Sequence, residues 1–364
     1  MYHIVFILLL IFSIKEFVSC AISQTVFRLM YLLLTLMAVF RFGQGTDYFN
    51  YYEIYSSSLD LEKYDLGLII SLKDPGYWVL NYLCAKIEIP FYVFVSCFAF
   101  VTMALFYLFL SKICKKSAFA LFLFYVFFYF VLVLSAIRQG LVLAFVSSVL
   151  YPLLIQRYYL KFYVLLLFIS TFHLSVLVLA IFPVFMNNKC ISLKIFQVLF
   201  ILCSILLFFN IDFLSFFTFG RFVGYLNGSD GGSVFPRIFR IILFFPILVL
   251  IKDKFVSDFY YKIAFVGFFV YCLFSSSDLA AARLEVYFRL SIIPIMFSLS
   301  LLSEKSIKQP MFTYYLILSS FYWFKCISTS IDEGGYINCN AFTYPYVSLF
   351  DADKIINYRT ILTS

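Results

Sequence analysis

The residues best suited to chemistry in this chain are an arginine and a histidine set in apolar sequence. Arg138 is followed by Gln139 where one apolar run ends and the next begins, and His173 lies midway along the apolar segment 162–186. A guanidinium in such a position is costly unless it faces a partner or water. An imidazole can accept a proton near neutral pH. The two residues therefore indicate a polar site within an otherwise lipid-compatible chain.

The composition predicts that a membrane protein holds this site. Hydrophobic residues make up 64% and charged residues 13% of the 364 residues, and the mean hydropathy is +1.00. A soluble chain could not bury that much apolar surface, and continuous apolar runs differ from the alternating pattern of a membrane β-barrel. We therefore predict an all-α polytopic integral membrane protein with about 10–12 transmembrane segments.

The apolar runs predict where these helices lie. The first run, residues 2–14, ends at Lys15 and Glu16, and it is expected to be a retained helix because it has neither the basic region nor the cleavage site of a signal peptide. Neither a repeat nor a soluble module is evident, so a single transmembrane domain over residues 1–364 is predicted. Further runs lie at 26–40, 91–110, 118–134, 139–155, 162–186, 195–209, 238–251, 263–274, 290–302 and 311–324.

The distribution of lysine and arginine predicts the orientation in the membrane. Basic residues collect in the cytoplasmic loops of membrane proteins. Six short connections hold most of the lysines, and we place them in the cytoplasm. Both chain termini are then external. The external segments are the loop 41–88 with an interfacial helix after Pro75, the turn at Arg138, the loop 210–237, the segment 275–289 and the tail 325–364.

Simple alternation of helices leaves one conflict. It places the connection that holds Lys189 and Lys194 outside, although their charges favour the cytoplasm. The conflict disappears if segment 162–186 enters the membrane and returns as a re-entrant hairpin with its tip at 171–173. Such backbone is tolerated only where it is buried in protein or lines an aqueous cavity. We therefore expect His173 at the floor of a cavity that opens outward.

Arginine predominates over lysine on the predicted external side. The guanidinium fork grips phosphate or carboxylate through two hydrogen bonds, whereas lysine serves general attraction to anionic lipid heads. These arginines favour a pocket for a lipid-linked diphosphate. The alternative is that they are interfacial anchors or partners of nearby acids such as Asp278 and Glu285. The external arginines are Arg41, Arg138, Arg221, Arg237, Arg240, Arg283, Arg289 and Arg359.

Several ordered motifs along the chain carry a resemblance to a known family. The motifs are Gly45-Thr46-Asp47-Tyr48-x-x-Tyr51, Asp74-Pro75-Gly76-Tyr77, Ile137-Arg138-Gln139-Gly140, Phe172-His173-x-Ser175, Arg283-x-x-x-Tyr287-Phe288 with Pro294, and Tyr344-Pro345-Tyr346. In their order, and in their placement among the helices, they resemble the EpsG-like branch of the Wzy-type O-antigen and capsular polysaccharide polymerases. The family often has glutamate where Asp74 stands, and aspartate preserves the charge.

The resemblance implies a multi-pass, GT-C-like glycosyltransferase that uses lipid-phosphosugars. Such an enzyme joins oligosaccharide repeat units carried on undecaprenyl diphosphate at the outer face of the bacterial inner membrane. Membrane lipid, a chain-length regulator and a flippase are then the expected partners, and nucleic acid is not. No cofactor is implied. No metal site is predicted either, because the sequence has no Cys/His cluster of ligand spacing.

The resemblance also suggests which residues bind the diphosphate. The growing chain on its lipid diphosphate is the donor, and a hydroxyl of an incoming unit attacks its anomeric carbon. Preorganised cations are worth most where charge develops on the leaving diphosphate. Arg138 and Arg283 are the first candidates for this role, and Arg289 and Arg221 are the second candidates.

Two residues are candidates for the general base. His173 could accept the proton of the acceptor hydroxyl, or it could be a neutral histidine that bonds Ser170 or Ser175. Asp47 could be the base or a ligand of the acceptor sugar, or it could simply make a local turn. Candidates for contact with substrate, several of which could instead belong to an interfacial aromatic belt, are Gln139, Tyr48, Tyr51, Trp78, Tyr287 and Asp74.

Two other functions stay open. A flippase would move the same lipid-linked unit and should show polar residues across the bilayer depth and pseudo-symmetric halves, which the sequence lacks. An O-antigen ligase, or an acyltransferase that decorates sugars, would share the fold style and the use of arginine. Only the motif resemblance favours the polymerase over these enzymes.

Overall fold

The structure is a computed structural model, and its described residues are mainly helical. Those residues contain no β-strand. The predicted all-α membrane fold is therefore confirmed. The described residues are 1–19, 23–45, 47–63, 72–187, 193–208, 234–246, 258–275, 277–300, 305–328, 346 and 348–351.

The helices follow one another with short connections where the chain is described. The first seven are α1 (Tyr2–Ser19), α2 (Gln24–Val39), α3 (Tyr48–Ser57), α4 (Pro75–Lys86), α5 (Phe91–Ile113), α6 (Ala118–Ser135) and α7 (Ile137–Ile155). The others are α8 (Tyr159–Ser170), α9 (Phe182–Asn187), α10 (Leu193–Phe208), α11 (Val234–Phe245), α12 (Asp258–Leu273), α13 (Asp278–Arg289), α14 (Ile292–Ser300) and α15 (Lys305–Ser328). Short 3₁₀ helices lie at Ser58–Lys63, Leu174–Ile181 and Leu349–Asp351.

Four of the described helices are long and apolar enough to cross a membrane, namely α1, α5, α6 and α7. Helix α5 has 23 residues, which at 1.5 Å per residue is about 35 Å and exceeds the ~30 Å hydrocarbon core. The bounds of α5, α6 and α7 agree with the predicted runs to within one turn. Hydropathy alone therefore located these membrane-spanning helices.

The first helix extends beyond its apolar run. Helix α1 continues through Lys15 and Glu16 to Ser19. The Glu16 carboxylate accepts hydrogen bonds from Ser117 Oγ at 2.6 Å and from the Ala118 N–H at 2.5 Å. Both donors lie at the N-terminus of α6, where a negative charge is favourable. The acid therefore stabilises another helix instead of ending its own.

The chain forms two compact units. Unit 1 comprises Met1–Pro152, Leu167–Leu174 and Thr313–Ser364, and unit 2 comprises Leu153–Leu166 and Ser175–Phe312. Unit 1 therefore contains α1 to α6, most of α7, and the residues at the predicted hairpin tip.

Contacts within unit 1 bring the predicted external segments to one end of its helices. The Tyr2 ring packs on Phe130 of α6 at 5.0 Å between centroids, whereas the other end of α1 contacts the beginning of α6, so the two helices are antiparallel. Beyond α2, the Arg41 side chain donates to the Val133 carbonyl near the end of α6. The backbone of Arg41 also pairs with Ser348 of the chain's C-terminal part.

The chain reverses direction at the predicted hairpin. Helix α8 ends at Ser170, and the 3₁₀ helix Leu174–Ile181 follows a short turn. Tyr163 Oη donates to the Ala180 carbonyl at 3.1 Å, although 17 positions separate the two residues. Helix α8 has 12 residues, or about 18 Å, and the hydrocarbon core is ~30 Å thick. The two legs therefore form a hairpin that is too short to cross the membrane.

Gly140 allows α7 to approach the end of α6. A Cβ atom at this position would lie 2.8 Å from the carbonyl carbon of Leu132. We therefore expect Gly140→Ala to destabilise the protein by about 1–3 kcal/mol through overpacking, measured as a lower melting temperature in detergent. The control is Val131→Ala, a change at an exposed position of α6, which should shift the melting temperature little. An unchanged value for Gly140→Ala would contradict the close approach of the two helices.

Candidate active site

Asp74 is the centre of a buried polar cluster in unit 1. It immediately precedes α4 and adopts a left-handed backbone conformation with φ 61° and ψ 58°, which is uncommon for a residue other than glycine. Pro75 takes the first position of the helix, where its fixed φ and missing N–H are suitable. The Asp74 side chain makes no capping bond to α4. This backbone conformation therefore leaves the carboxylate available to other parts of the chain.

The Asp74 carboxylate binds two other segments of unit 1. Oδ2 lies 2.7 Å from Nη1 of Arg138 and 3.4 Å from Nδ1 of His173. Oδ1 accepts the N–H of Leu174 at 3.0 Å. The carboxylate is fully buried, so these contacts replace the hydration that it has lost. A cation and an imidazole are thereby held on one carboxylate.

These contacts determine the protonation of Asp74. Burial alone would raise the pKa of its carboxyl group. The hydrogen bond from His173, the charge of Arg138 and the N–H of Leu174 outweigh burial and lower the pKa from its ordinary value of 3.8. Asp74 is therefore an anion at neutral pH.

His173 presents one ring nitrogen without a partner. Because Nδ1 faces the Asp74 carboxylate, it acts as the donor, and Nε2 then carries the lone pair. Nε2 is buried and has no hydrogen-bond partner among the described residues. The hydroxyls of Ser170 and Ser175 bond elsewhere, the first to a backbone carbonyl at 2.8 Å and the second to Tyr287 Oη at 2.9 Å. The lone pair of Nε2 is therefore available to accept a proton.

Arg138 lies between two tyrosine rings. Its guanidinium carbon is 5.5 Å from the ring centroid of Tyr51 and 5.2 Å from that of Tyr77, and the two rings meet edge to face at 5.8 Å. Such contacts stabilise and orient a guanidinium. Nη1 binds Asp74, and the side chain keeps 19% of its surface exposed. Its other donors can therefore bind an anion that reaches the cluster.

Helices α3 and α4 hold these tyrosines in place. Tyr48, Tyr51 and Tyr55 recur at helical spacing on the buried face of α3, and they pack with Tyr77 of α4 and Phe94 of α5. Burial is the main cause that raises the pKa of Tyr51, so its hydroxyl stays protonated at neutral pH. Burial also raises the pKa of Tyr48 to about 12. The aromatic residues therefore form a rigid, uncharged wall beside Arg138.

The hairpin tip is attached to the start of α4. The Gly76 N–H donates to the Thr171 carbonyl at 2.9 Å. A Cβ atom on Gly76 would lie 2.8 Å from Cβ of Thr171, so only glycine permits this approach. Asp74 and His173 each stand two residues from this contact. The close approach therefore places the imidazole beside the carboxylate.

The remaining predicted site residues of unit 1 lie close along the chain to residues of this cluster. Asp47 precedes α3 and is partly exposed. Gln139 and Tyr48 are buried, and Trp78 is partly exposed on α4. The predicted contacts of these four residues with substrate stay predictions.

The other predicted residues belong to unit 2 or are not described. Tyr287 is fully buried and bonds the Ser175 hydroxyl, Arg289 is buried, and Arg283 is exposed on α13. Arg221 lies outside the described residues. Asp74 and His173 were predicted as separate candidates, and no role was predicted for Tyr77, although Tyr77 stands in the same motif as Asp74.

No metal site is found in the part of the chain that the structure describes. Among the described residues, no three His, Cys, Asp or Glu side chains form a group that could hold a metal ion. The sequence does contain one Asp-x-Asp pair, Asp351 and Asp353, and Asp353 lies outside the described residues.

The lowered pKa of Asp74 predicts a pH dependence of stability. Because the folded-state pKa lies below the ordinary value of 3.8, the ionised carboxylate stabilises the protein fully above that value, and this stabilisation is lost as the pH falls through the folded-state pKa. We expect wild type to melt higher than Asp74→Asn at pH 7, and the difference to shrink below pH 3.8. A difference that is constant from pH 7 to pH 3 would contradict the role of the charge.

Comparison with known proteins gives one match. The profile of the EpsG family matches residues 24–348, a range that includes every residue of the cluster around Asp74. No curated protein sequence and no solved structure matches the chain.

Proposed function

The chain belongs to the EpsG family, and we propose that it is a polysaccharide polymerase that acts on lipid-linked repeat units. In this proposal the substrates are oligosaccharides on undecaprenyl diphosphate, and the product is an O-antigen or capsule chain. The observation that carries the proposal is the contact of Asp74 with both Arg138 and His173. Asp74 thereby holds Arg138, a cation suited to binding a diphosphate, close to His173, a base suited to accepting the proton of a hydroxyl.

The proposed reaction is a metal-independent glycosyl transfer. A hydroxyl of the incoming unit attacks the anomeric carbon of the growing chain, and a new glycosidic bond forms there. The bond between this carbon and the diphosphate oxygen breaks, and the lipid diphosphate leaves as an anion. His173 Nε2 takes the proton of the attacking hydroxyl. The imidazolium that results is stabilised by the adjacent Asp74 carboxylate.

Arg138 stabilises the leaving diphosphate in this scheme. Negative charge grows on the diphosphate as the anomeric bond breaks, so a cation already in place favours the transition state over the ground state. Contact with Tyr51, Tyr77 and Asp74 holds the guanidinium before substrate arrives. The cation therefore needs little reorganisation during the reaction.

Asp74 acts as a positioning residue in the proposal. Asp74 was predicted to contact substrate, but both of its oxygens are already bonded within the protein and the carboxylate is fully buried. It keeps the His173 proton on Nδ1 and keeps Arg138 beside the imidazole. Asp47, Tyr48 and Gln139 are the residues proposed to contact the sugar directly.

The proposed location is the inner membrane of a bacterium, with the site facing the periplasm. Support comes from the basic connections, which predict that the end of unit 1 carrying Asp74 is external. A flippase would then supply the lipid-linked units, and a chain-length regulator would be a partner. Arg283, Arg289 and Arg221 stay candidates for diphosphate contact.

The test is complementation of cells that lack this protein, read as the length distribution of the polysaccharide on a gel. Wild type should restore the full ladder. Arg138→Gln and His173→Gln should leave a single repeat unit on the lipid core, because each change lowers the transfer rate by about 10²–10³-fold. The control is Arg28→Gln, a change at an exposed position of α2, at matched membrane levels.

Two outcomes would contradict the proposal in different ways. Loss of every capped species, including the single unit, would indicate a flippase or a ligase. A full ladder from Arg138→Gln would show that this arginine does not stabilise the leaving group.

A further inference from the structure

Unit 2 contains a second set of charged residues, mostly buried, of which only Arg289 is a candidate for a role in the proposed reaction. Arg237 Nε lies 3.9 Å from Asp278 Oδ1. Glu285 Oε2 lies 3.4 Å from Arg240 Nε and 3.6 Å from Arg289 Nη1. We call these five residues the charge ladder.

The ladder follows from helical spacing on two helices. Arg237 and Arg240 are three residues apart on α11, so they lie on one face. Asp278 and Glu285 are seven residues apart on α13, which is two turns along one face. The pairs therefore form two levels, one of Arg237 with Asp278 and one of Arg240 with Glu285.

The pairing within the ladder is incomplete. The Glu285 side chain is fully buried, yet neither of its oxygens has a hydrogen-bond partner among the described residues. The Nε atoms of Arg237 and Arg240 are also buried without a hydrogen bond. The ion-pair distances at Glu285 are long for charge-assisted hydrogen bonds, which are normally 2.7–2.9 Å. The groups therefore attract one another without satisfying their hydrogen-bonding capacity.

The arginines are held in place in spite of this loose pairing. Arg237 Nη2 donates to the Ser275 carbonyl at 2.9 Å. The guanidinium of Arg240 lies 5.3 Å from the Tyr271 ring and 5.8 Å from the Phe239 ring. The five ladder residues together carry three positive and two negative charges. An anion with several acceptor oxygens would accept hydrogen bonds from the Nε atoms of Arg237 and Arg240, and it would be attracted by the net positive charge.

We propose that the charge ladder binds a diphosphate group, and that Glu285 is a built-in counter-ion which the ligand replaces. Each level offers a guanidinium to one phosphoryl group. The assignment of this diphosphate to the acceptor lipid rests on the proposed function, because a polymerase handles two lipid-linked diphosphates and the Asp74 cluster serves the donor. Binding of a diphosphate to the ladder does not depend on that function.

The test is a titration of the full-length protein in detergent with inorganic pyrophosphate and, separately, with farnesyl diphosphate. Arg240→Gln should weaken binding at this site at least tenfold, because a guanidinium is lost. Glu285→Gln should tighten binding severalfold, because the competing carboxylate is lost. Arg157→Gln, a change at an exposed position of unit 2, is the control and should leave the affinity unchanged. Equal affinity for the two ligands would identify a free diphosphate, and a clear preference for farnesyl diphosphate would identify a lipid head group.

Several results would overturn the proposal. If Arg240→Gln leaves the affinity unchanged, or if Glu285→Gln weakens binding, the ladder is only a structural ion-pair network. Should either variant fail to fold, Arg138→Ala provides the second measurement, since it must still bind pyrophosphate through the ladder. Complete loss of binding in Arg138→Ala would assign the diphosphate to the Asp74 cluster alone. The titration measures binding of a diphosphate and not sugar transfer. Its outcomes can therefore be interpreted even if the polymerase proposal is wrong.

Discussion

A single buried carboxylate determines the arrangement of the cluster in unit 1. A charge removed from water must be paired and hydrogen-bonded, and removal of one partner from such a pair commonly costs 3–5 kcal/mol. Asp74 meets this requirement with Arg138, His173 and a backbone N–H at the hairpin tip. The start of α4, the start of α7 and the hairpin are therefore fixed relative to one another. In a chain of mostly hydrophobic residues, this requirement positions a polar site.

The two charged clusters differ in how completely they are paired. The Asp74 carboxylate has a hydrogen bond on each oxygen, whereas Glu285 has none among the described residues. Complete pairing gives the rigid geometry that a proton transfer and a developing charge require. Loose pairing leaves arginine donors that a ligand can take. In our proposals, the same residue types therefore serve catalysis in unit 1 and reversible binding of an anion in unit 2.

Hydropathy predicted the membrane helices, because apolar runs are a local property of the sequence, and the order of basic connections along the chain predicted the hairpin. They did not predict that Asp74 joins Arg138 and His173, since 64 and 99 positions separate them from it and no local pattern encodes such contacts. Sequence motifs pointed to Asp74, Arg138 and His173 one by one. The role of each residue depends on the side chains that it contacts in the folded protein. The hydrogen bonds of Glu16 could not be predicted for the same reason, because the groups that donate them are about a hundred positions away.

The most direct test of the central claim is a double-mutant cycle on the rate of repeat-unit transfer by the purified protein in lipid vesicles. It compares Asp74→Asn, His173→Gln and the double variant with wild type, at equal amounts of folded protein. If Asp74 acts through His173, the double variant should be about as slow as the slower single variant, because the second change removes nothing further. If the two losses multiply, Asp74 and His173 act independently and the account of the site is wrong.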